Sequence, residues 1–284
     1  METVSFRKIL VPTDYSESSE NAVRTAAALC RKHHAAMTLV HVVKFAPEYT
    51  PPEEIFNPTQ SFTQEMKMAA RGELRHLGDR IREKYKIPVD EIVSYGEVVK
   101  QIVLAIQQAV PDLVLIGTHG KSGFRRWFIG STAYRVIKHT NFPVMTIPGS
   151  GDWTHFRAVL FPIRMIPDAL KKYDHVRPIL LTDRPGMHLL GLSMDSDPGG
   201  LSDIAPLKEE IETRLHEDGI TFDVTYRKCH NYADQILETA TEMKADLIVI
   251  IATIDKSKGE FFIGPFSQQI LNHADVPVLC VRPH

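Results

Sequence analysis

Three glycines and a serine stand at a spacing that suits phosphate chemistry. The apolar residues 113–116 end in Gly117, Gly120 follows three residues later, and Gly130 and Ser131 come after nine further residues. A glycine lets backbone approach a ligand without a Cβ in the way, and the first turn of a helix offers unpaired N–H donors with partial positive charge. The spacing therefore predicts a loop that holds phosphate groups at the start of a helix.

Charged residues near this loop fit the same chemistry. Asp14 follows the first apolar run and suits a ribose hydroxyl or a metal-bound water, while Lys121, Arg125 and Arg126 supply positive charge beside the loop. Each has a simpler interpretation that stays open. Gly117 fits an ordinary turn, Asp14 fits the N-cap of the first helix, and the three cations fit solvated loop charges.

Other motifs are absent. Residues 120–122 resemble the end of a P-loop, but the first glycine of that motif would fall on Leu115. Neither the dinucleotide fingerprint after a predicted strand nor GxSxG occurs, and no catalytic residue is assigned. The adjacent pairs at 33–34 and 229–230 point apart on a helix or strand, so no metal site is predicted.

The chain contains an internal repeat. Residues 6–14 match residues 156–164 at an offset of 156 − 6 = 150, whereas residues 112–144 match residues 246–278 at an offset of 246 − 112 = 134. The second copy thus lacks 150 − 134 = 16 residues, which we expect in the loop at 46–58 or in the helix after it. We predict two domains, 1–148 and 149–284, with a linker near residues 148–152.

Short apolar runs alternate with longer amphipathic stretches in each copy, which is typical of a parallel sheet covered by helices. Pro178 and the turn at 183–186 predict that the first helix of the second copy ends early. Strands are predicted near 8–12, 37–43, 90–94, 112–117 and 143–147, and near 158–163, 187–192, 221–226, 246–251 and 277–281. Helices of the first copy are predicted near 18–33, 62–85, 98–109 and 130–139.

Composition excludes several classes of function. A length of 284 residues fits two domains of average size, and a formal charge of −2 gives no global attraction to nucleic acid or to an acidic membrane. The N-terminus lacks a signal peptide's apolar segment, and no apolar run approaches the ~20 residues of a membrane span, so a cytoplasmic location is expected. Cys30, Cys229 and Cys280 are far apart and are expected to be core residues.

These residues resemble the universal stress protein family, in a tandem form that covers essentially the whole chain. The family's motif G-x2-G-x9-G-[ST] is satisfied by Gly117, Gly120, Gly130 and Ser131. The resemblance implies an α/β fold with two doubly wound, five-stranded parallel-sheet domains, adenine nucleotide alpha hydrolase-like, with strand order 3-2-1-4-5. It also implies ATP at the carboxyl edge of the sheet, with or without Mg²⁺.

The same resemblance implies roles for individual residues. Pro12, Thr13 and Asp14 line the base and ribose, and the backbone of Val42 meets the adenine. The glycine loop with its neighbours holds the phosphates. The expected cofactor-binding residues are Pro12, Thr13, Asp14, Val42, Gly117, Thr118, Gly120, Lys121, Arg126, Gly130, Ser131 and Thr132. In this family the last strand commonly mediates pairing, which implies that the two domains pair within the chain and that two chains form a homodimer.

The second copy departs from the pattern at the decisive positions. Gly117 becomes Ile251, Gly120 becomes Ile254, Ser131 becomes Pro265 and Asp14 becomes Arg164. The two β-branched isoleucines resist positive φ and fill the space that a phosphate would need. The proline has neither the hydroxyl of the serine nor its backbone N–H. We therefore expect no ATP in this copy, and we expect Arg164 to form a local salt bridge or, alternatively, to bind another anion. Because scaffold residues recur and the motif residues do not, we attribute the motif residues to a ligand rather than to the architecture.

The leading hypothesis is an ATP-binding stress or regulatory module with one competent site. Binding is expected rather than turnover, because the loop displays no positioned base beyond Asp14. The alternatives are a slow ATPase or ATP-dependent enzyme, and an interaction scaffold without a ligand.

Overall fold

The computed structural model describes residues 4–44, 60–118, 130–166, 168–194, 202, 204–252, 254–255 and 262–282. In the N-terminal half, strands and helices alternate as the sequence predicts, with small differences at their ends. The elements are β1 Lys8–Pro12, α1 Glu17–His33, β2 Ala36–Val43, α2 Gln60–Tyr85, β3 Val89–Tyr95, α3 Val98–Ala109, β4 Leu113–Gly117, α4 Ser131–His139 and β5 Val144–Ile147.

The C-terminal half repeats this order and adds a short antiparallel pair, β10 and β11, which the sequence did not predict. Its elements are β6 Ala158–Ile163, α5 Lys172–Asp183, β7 Gly186–Met194, α6 Ala205–Glu217, β8 Phe222–Cys229, α7 Tyr232–Glu242, β9 Leu247–Ile251, β10 Ile254–Asp255, β11 Phe262–Ile263, α8 Pro265–His273 and β12 Val278–Val281.

One ten-stranded sheet runs through both halves in the order β3-β2-β1-β4-β5-β12-β9-β6-β7-β8. Each half therefore has the order 3-2-1-4-5, which confirms the predicted fold. The halves join where β5 pairs antiparallel with β12, with Val144 opposite Cys280 and Thr146 opposite Val278. The pairing of the two halves through their last strands is thus present within the chain.

Helices cover both faces of the sheet because alternate strand residues point to opposite sides. Ile9 and Val11 pack in one core with residues of α1, α2, α5 and α6. Leu10 packs in the other core with residues of α3, α4, α7 and α8. Both cores extend through the two halves. Cys30, Cys229 and Cys280 are buried and free, as expected.

The first helix of the C-terminal half differs from its prediction. Helix α5 runs through Pro178 and ends at Asp183, the position equivalent to the end of α1 (33 + 150 = 183), so an early end is wrong. The helix instead begins late, at Lys172. Helix α1 begins at residue 17, so the offset of 150 would place the start of α5 at residue 167 (17 + 150). Burial of Val176 and Ile179 offsets the hydrogen bond that Pro178 cannot donate.

Most of the residues missing from the second copy come from one helix. Helix α2 has 26 residues and its counterpart α6 has 13, a difference of 26 − 13 = 13. The expectation that the loss lies in this region is confirmed. Among the described helices, none is long and apolar enough to cross a membrane.

Candidate functional site

A cavity of about 560 Å³ opens at the carboxyl ends of the N-terminal strands. Strand β1 lies between β2 and β4, so the chain crosses to opposite sides of the sheet at this point and leaves a crevice. Its described lining residues are Pro12, Thr13, Asp14, Ser16, Ser18, Ser19, Val40, His41, Val42, Val43, Lys44, Val98, Ile102, Ile116, Gly117, Gly130, Ser131, Thr132 and Ala133.

The structure brings most of the predicted binding residues together around this cavity. Thr118 is buried and lies outside the lining set. Gly120, Lys121 and Arg126, together with Arg125, lie outside the described residues. The predicted residues that line the cavity are Pro12, Thr13, Asp14, Val42, Gly117, Gly130, Ser131 and Thr132.

Asp14 is an exposed carboxylate at the cavity wall, and it is not the cap of α1. Ser16 is the N-cap, since its hydroxyl oxygen accepts from the N–H of Ser19 at 3.4 Å. Asp14 Oδ1 accepts from the Ser16 N–H at 3.0 Å and from the Ser16 hydroxyl at 2.5 Å. The N-cap interpretation of Asp14 is therefore wrong: this carboxylate orients the residue that caps the helix.

Gly117 is required by the packing of α1. A Cβ placed on Gly117 would lie 2.6 Å from the carbonyl carbon of Ser18 and 2.7 Å from its carbonyl oxygen. Its φ is not positive, so a left-handed backbone conformation does not explain the residue. Attributing Gly117 to a ligand alone is also wrong, because the first turn of α1 lies too close to β4 for any side chain.

The first turn of α4 lines the cavity, and the first N–H groups of a helix have no partner within the helix. Gly130 is the N-cap and provides no side-chain cap, and Ser131, Thr132 and Ala133 follow it along the wall. Thr118 fixes this turn, since its carbonyl accepts from the Gly130 N–H while its own N–H donates to Ile147 at 3.1 Å. An uncapped helix start is a suitable site for an anion.

His41 lines the crevice and contacts Tyr15, and the sequence did not single out either residue. The His41 Nδ1–H donates to the carbonyl of Thr13 at 2.9 Å, because a carbonyl can only accept. The Tyr15 ring packs against His41 with centroids 4.8 Å apart and an interplanar angle of 40°, and Tyr15 has a φ of 60°. Burial, with a smaller effect of Glu73, raises the pKa of Tyr15 to about 12. Its place as one of two polar residues, with Thr38, in the otherwise apolar strand β2 was the only signal of His41.

Serines and apolar side chains complete the wall. Ser16, Ser18 and Ser19 follow Asp14 within five residues, and hydroxyls at the start of a helix indicate a cap rather than a pocket. Val98 and Ile102 lie one turn apart on α3 and form an apolar surface. The helical spacing of these two residues was visible in the sequence, but their exposure to a cavity was not.

The equivalent crevice of the C-terminal half is filled. Among the described residues, the cavity at these positions measures about 10 Å³. Seven of its eight lining residues occupy positions equivalent to lining residues of the large cavity, at the offsets of 150 and 134. The eight residues are Pro162, Arg164, Ile166, Ala169, Lys172, Ile250, Ile251 and Phe266.

Three large side chains fill this crevice by stacking on one another. The Arg164 guanidinium lies 3.6 Å from the ring centroid of Phe266 and 4.9 Å from that of Tyr232. Each of them is larger than its equivalent in the N-terminal half. Arg164 replaces Asp14, Phe266 replaces Thr132 and Tyr232 replaces Val98.

Arg164 pairs with no carboxylate in the described part of the chain, so the expected salt bridge is wrong there. The aromatic faces provide the favourable contact instead, because a guanidinium sheds its hydration more readily than an ammonium. Burial lowers the pKa of Arg164 to about 10, which leaves the group charged at neutral pH.

Comparisons with known proteins agree with this duplicated architecture. A sequence model described as the universal stress protein family matches residues 5–148 and 175–282. A universal stress protein of Mycolicibacterium smegmatis is 26% identical over 300 residues, which cover 97% of each chain. Another, from Methanocaldococcus jannaschii, is 27% identical over 142 residues, or 50% of this chain and 82% of that protein.

A solved structure extends the likeness to the whole fold. The universal stress protein from Archaeoglobus fulgidus DSM 4304 superposes with a TM-score of 0.78 at 18% identity and covers 99% of both chains. At that identity the likeness concerns the fold alone. With one family matched in both halves, and with the same strand order in each, the chain belongs to the universal stress protein family.

Proposed function

We propose that the N-terminal half binds ATP, that the C-terminal half does not, and that the chain acts as a nucleotide-responsive stress or regulatory module. One observation carries the proposal: equivalent positions enclose about 560 Å³ in one half and about 10 Å³ in the other. Pockets for small molecules commonly measure about 300 to 1,000 Å³, so only the first is large enough. We place the boundary between the two domains at residues 148 and 149.

The lining of the large cavity supports an adenine nucleotide. Its apolar part, which includes Val98, Ile102 and Ile116, suits a base, and the Asp14 carboxylate suits a ribose hydroxyl. The uncapped start of α4 suits the phosphates, with Lys44 at the wall and Lys121 and Arg126 in the neighbouring loop sequence as further cations. If Mg²⁺ accompanies the nucleotide, Asp14 is an oxygen ligand of the type that this ion uses beside phosphates.

The same lining favours binding over turnover. Asp14 is the one carboxylate among the described lining residues, and its Oδ1 is engaged by Ser16. His41, which also lines the cavity, uses its Nδ1–H on Thr13. A fast ATPase needs a base positioned on water, so we expect slow hydrolysis at most. A homodimer and a cytoplasmic location stay predictions.

Calorimetric titration with a matched pair of variants tests the proposal. Thr132→Phe gives the N-terminal crevice the side chain that fills the C-terminal one, and Phe266→Thr makes the reverse change. We expect one ATP per wild-type chain, affinity lowered by about tenfold or more in Thr132→Phe, which corresponds to ~1.4 kcal/mol or more, and unchanged affinity of that site in Phe266→Thr.

Two results would refute this assignment. Two ATP molecules per wild-type chain would show that the C-terminal half is competent. Unchanged affinity in a folded Thr132→Phe protein would place the nucleotide elsewhere. Phosphate release measured in the same samples separates a binder from an enzyme.

A further inference from the structure

Two cationic side chains are buried together in the C-terminal half. Arg164 is 9% exposed and Lys172 is 4% exposed, and both line the cavity of about 10 Å³. Lys172 is the first residue of α5. Its Nζ donates to the carbonyl of Pro162 and lies 4.2 Å from the ring centroid of Phe161.

Neither cation has an anionic partner among the described residues. Arg164 contacts aromatic rings, and Lys172 contacts a carbonyl and a ring. Burial of a charge without compensation is strongly unfavourable. Burial, and then the charge of Arg164, lower the pKa of Lys172 well below its usual value. The described residues therefore supply no negative charge to compensate for these two groups.

The cavity and its donors define what could supply that charge. An ammonium has three N–H donors, of which Lys172 uses one on Pro162, and a guanidinium stacked on ring faces keeps its N–H edges available. A cavity needs about 10 to 15 Å³ to hold one water molecule, so this one accepts a species of nearly atomic size. Phosphate and carboxylate ligands are too large.

We propose that a single halide-sized anion, chloride in the cell, binds between Arg164 and Lys172 as the counter-ion of the filled crevice. The site does not depend on ATP binding in the other half. It gives the degenerate half a ligand of its own, which stabilises the start of α5 and the aromatic stack around Arg164.

Thermal unfolding at constant ionic strength tests the proposal, with sodium gluconate exchanged for sodium chloride. Above the Kd of the anion, we expect the wild-type Tm to rise by about 3 °C for each tenfold increase in chloride. Lys172→Met will lose this dependence. The matched control Lys171→Met will retain it, because Lys171 lies next in the chain but is half exposed and pairs with Asp168 at 3.0 Å.

Crystals of the wild-type protein grown in sodium bromide give a second test that needs no variant. We expect an anomalous bromine peak within hydrogen-bonding distance of Lys172 Nζ and Arg164. The proposal is overturned if this peak is absent, if the wild-type Tm is the same in gluconate and chloride, or if Lys171→Met and Lys172→Met lose the response equally.

Discussion

Replacing Gly117 with alanine should destabilise the protein even when no nucleotide is present. The added Cβ would meet Ser18 at 2.6 and 2.7 Å, and the atoms that it meets are the backbone carbon and oxygen of α1. Backbone cannot rotate away as a long side chain can, so the first turn of the helix must move from β4. A glycine kept only for a phosphate would show no such effect.

The expected size follows from two opposing terms. Overpacking of a buried site costs about 1 to 3 kcal/mol. Alanine also restricts the unfolded chain, which returns about 0.4 to 1 kcal/mol. Taking the smaller and the larger values together, the net loss of unfolding free energy is about 0.6 to 2 kcal/mol, or a decrease in Tm of about 1 to 8 °C for a chain of this size.

Chemical denaturation and thermal melting of nucleotide-free protein measure this loss. Gly72→Ala is the matched control, since Gly72 lies inside α2 and a Cβ there would meet nothing within 4 Å. That change should raise stability by about 0.5 to 1 kcal/mol, because alanine is the better helix former. The reasoning is refuted if Gly117→Ala loses affinity for ATP while its stability matches or exceeds that of the wild type.

Two further predictions concern the contacts between α1 and α5. Burial lowers the pKa of His33 from 6.5 to about 4, so His33 is buried in its neutral form. The stability that neutral His33 allows is present above pH 6.5 and is lost as the pH falls toward 4. The total loss in the free energy of unfolding is about 3 kcal/mol. His33→Gln should flatten the dependence of urea-derived stability on pH in that window, and an unchanged slope would contradict this. Asp183→Asn should cost about 1 to 3 kcal/mol, because the side chain of Asp183 is 2% exposed and pairs with Lys32 at 2.5 Å. Glu210→Gln breaks an exposed pair with Arg214 and should change the free energy of unfolding by less than about 0.5 kcal/mol. Equal losses for Asp183→Asn and Glu210→Gln in urea denaturation would contradict the value expected for Asp183→Asn.

Several features of the fold could be read from the sequence because each depends on residues close together in the chain. The alternation of short apolar runs and amphipathic stretches located the ten strands of the large sheet. The offsets of 150 and 134 exposed the duplication and located the missing residues near α2. The spacing of Gly117, Gly130 and Ser131 placed all three at one cavity wall.

The sequence misjudged residues whose role depends on a partner distant in the chain. Gly117 was attributed to a ligand because its neighbour in space, the backbone of Ser18, is about a hundred positions away in sequence. Arg164 was expected to find a carboxylate, but it is flanked by aromatic side chains from the starts of two other helices. Pro178 was expected to end a helix that tertiary packing continues to Asp183.

The sequence by itself determined that this protein is a duplicated α/β chain with one intact glycine motif and one degenerate copy. Periodicity, spacing and self-similarity encode that much, since they act over single elements or recur at a constant offset within each part of the repeat. Only the tertiary structure decided that one crevice is open and the other is filled, and that two cations are buried together. The volume of a crevice depends on which side chains from separate elements reach it, and that is fixed when the helices pack on the sheet.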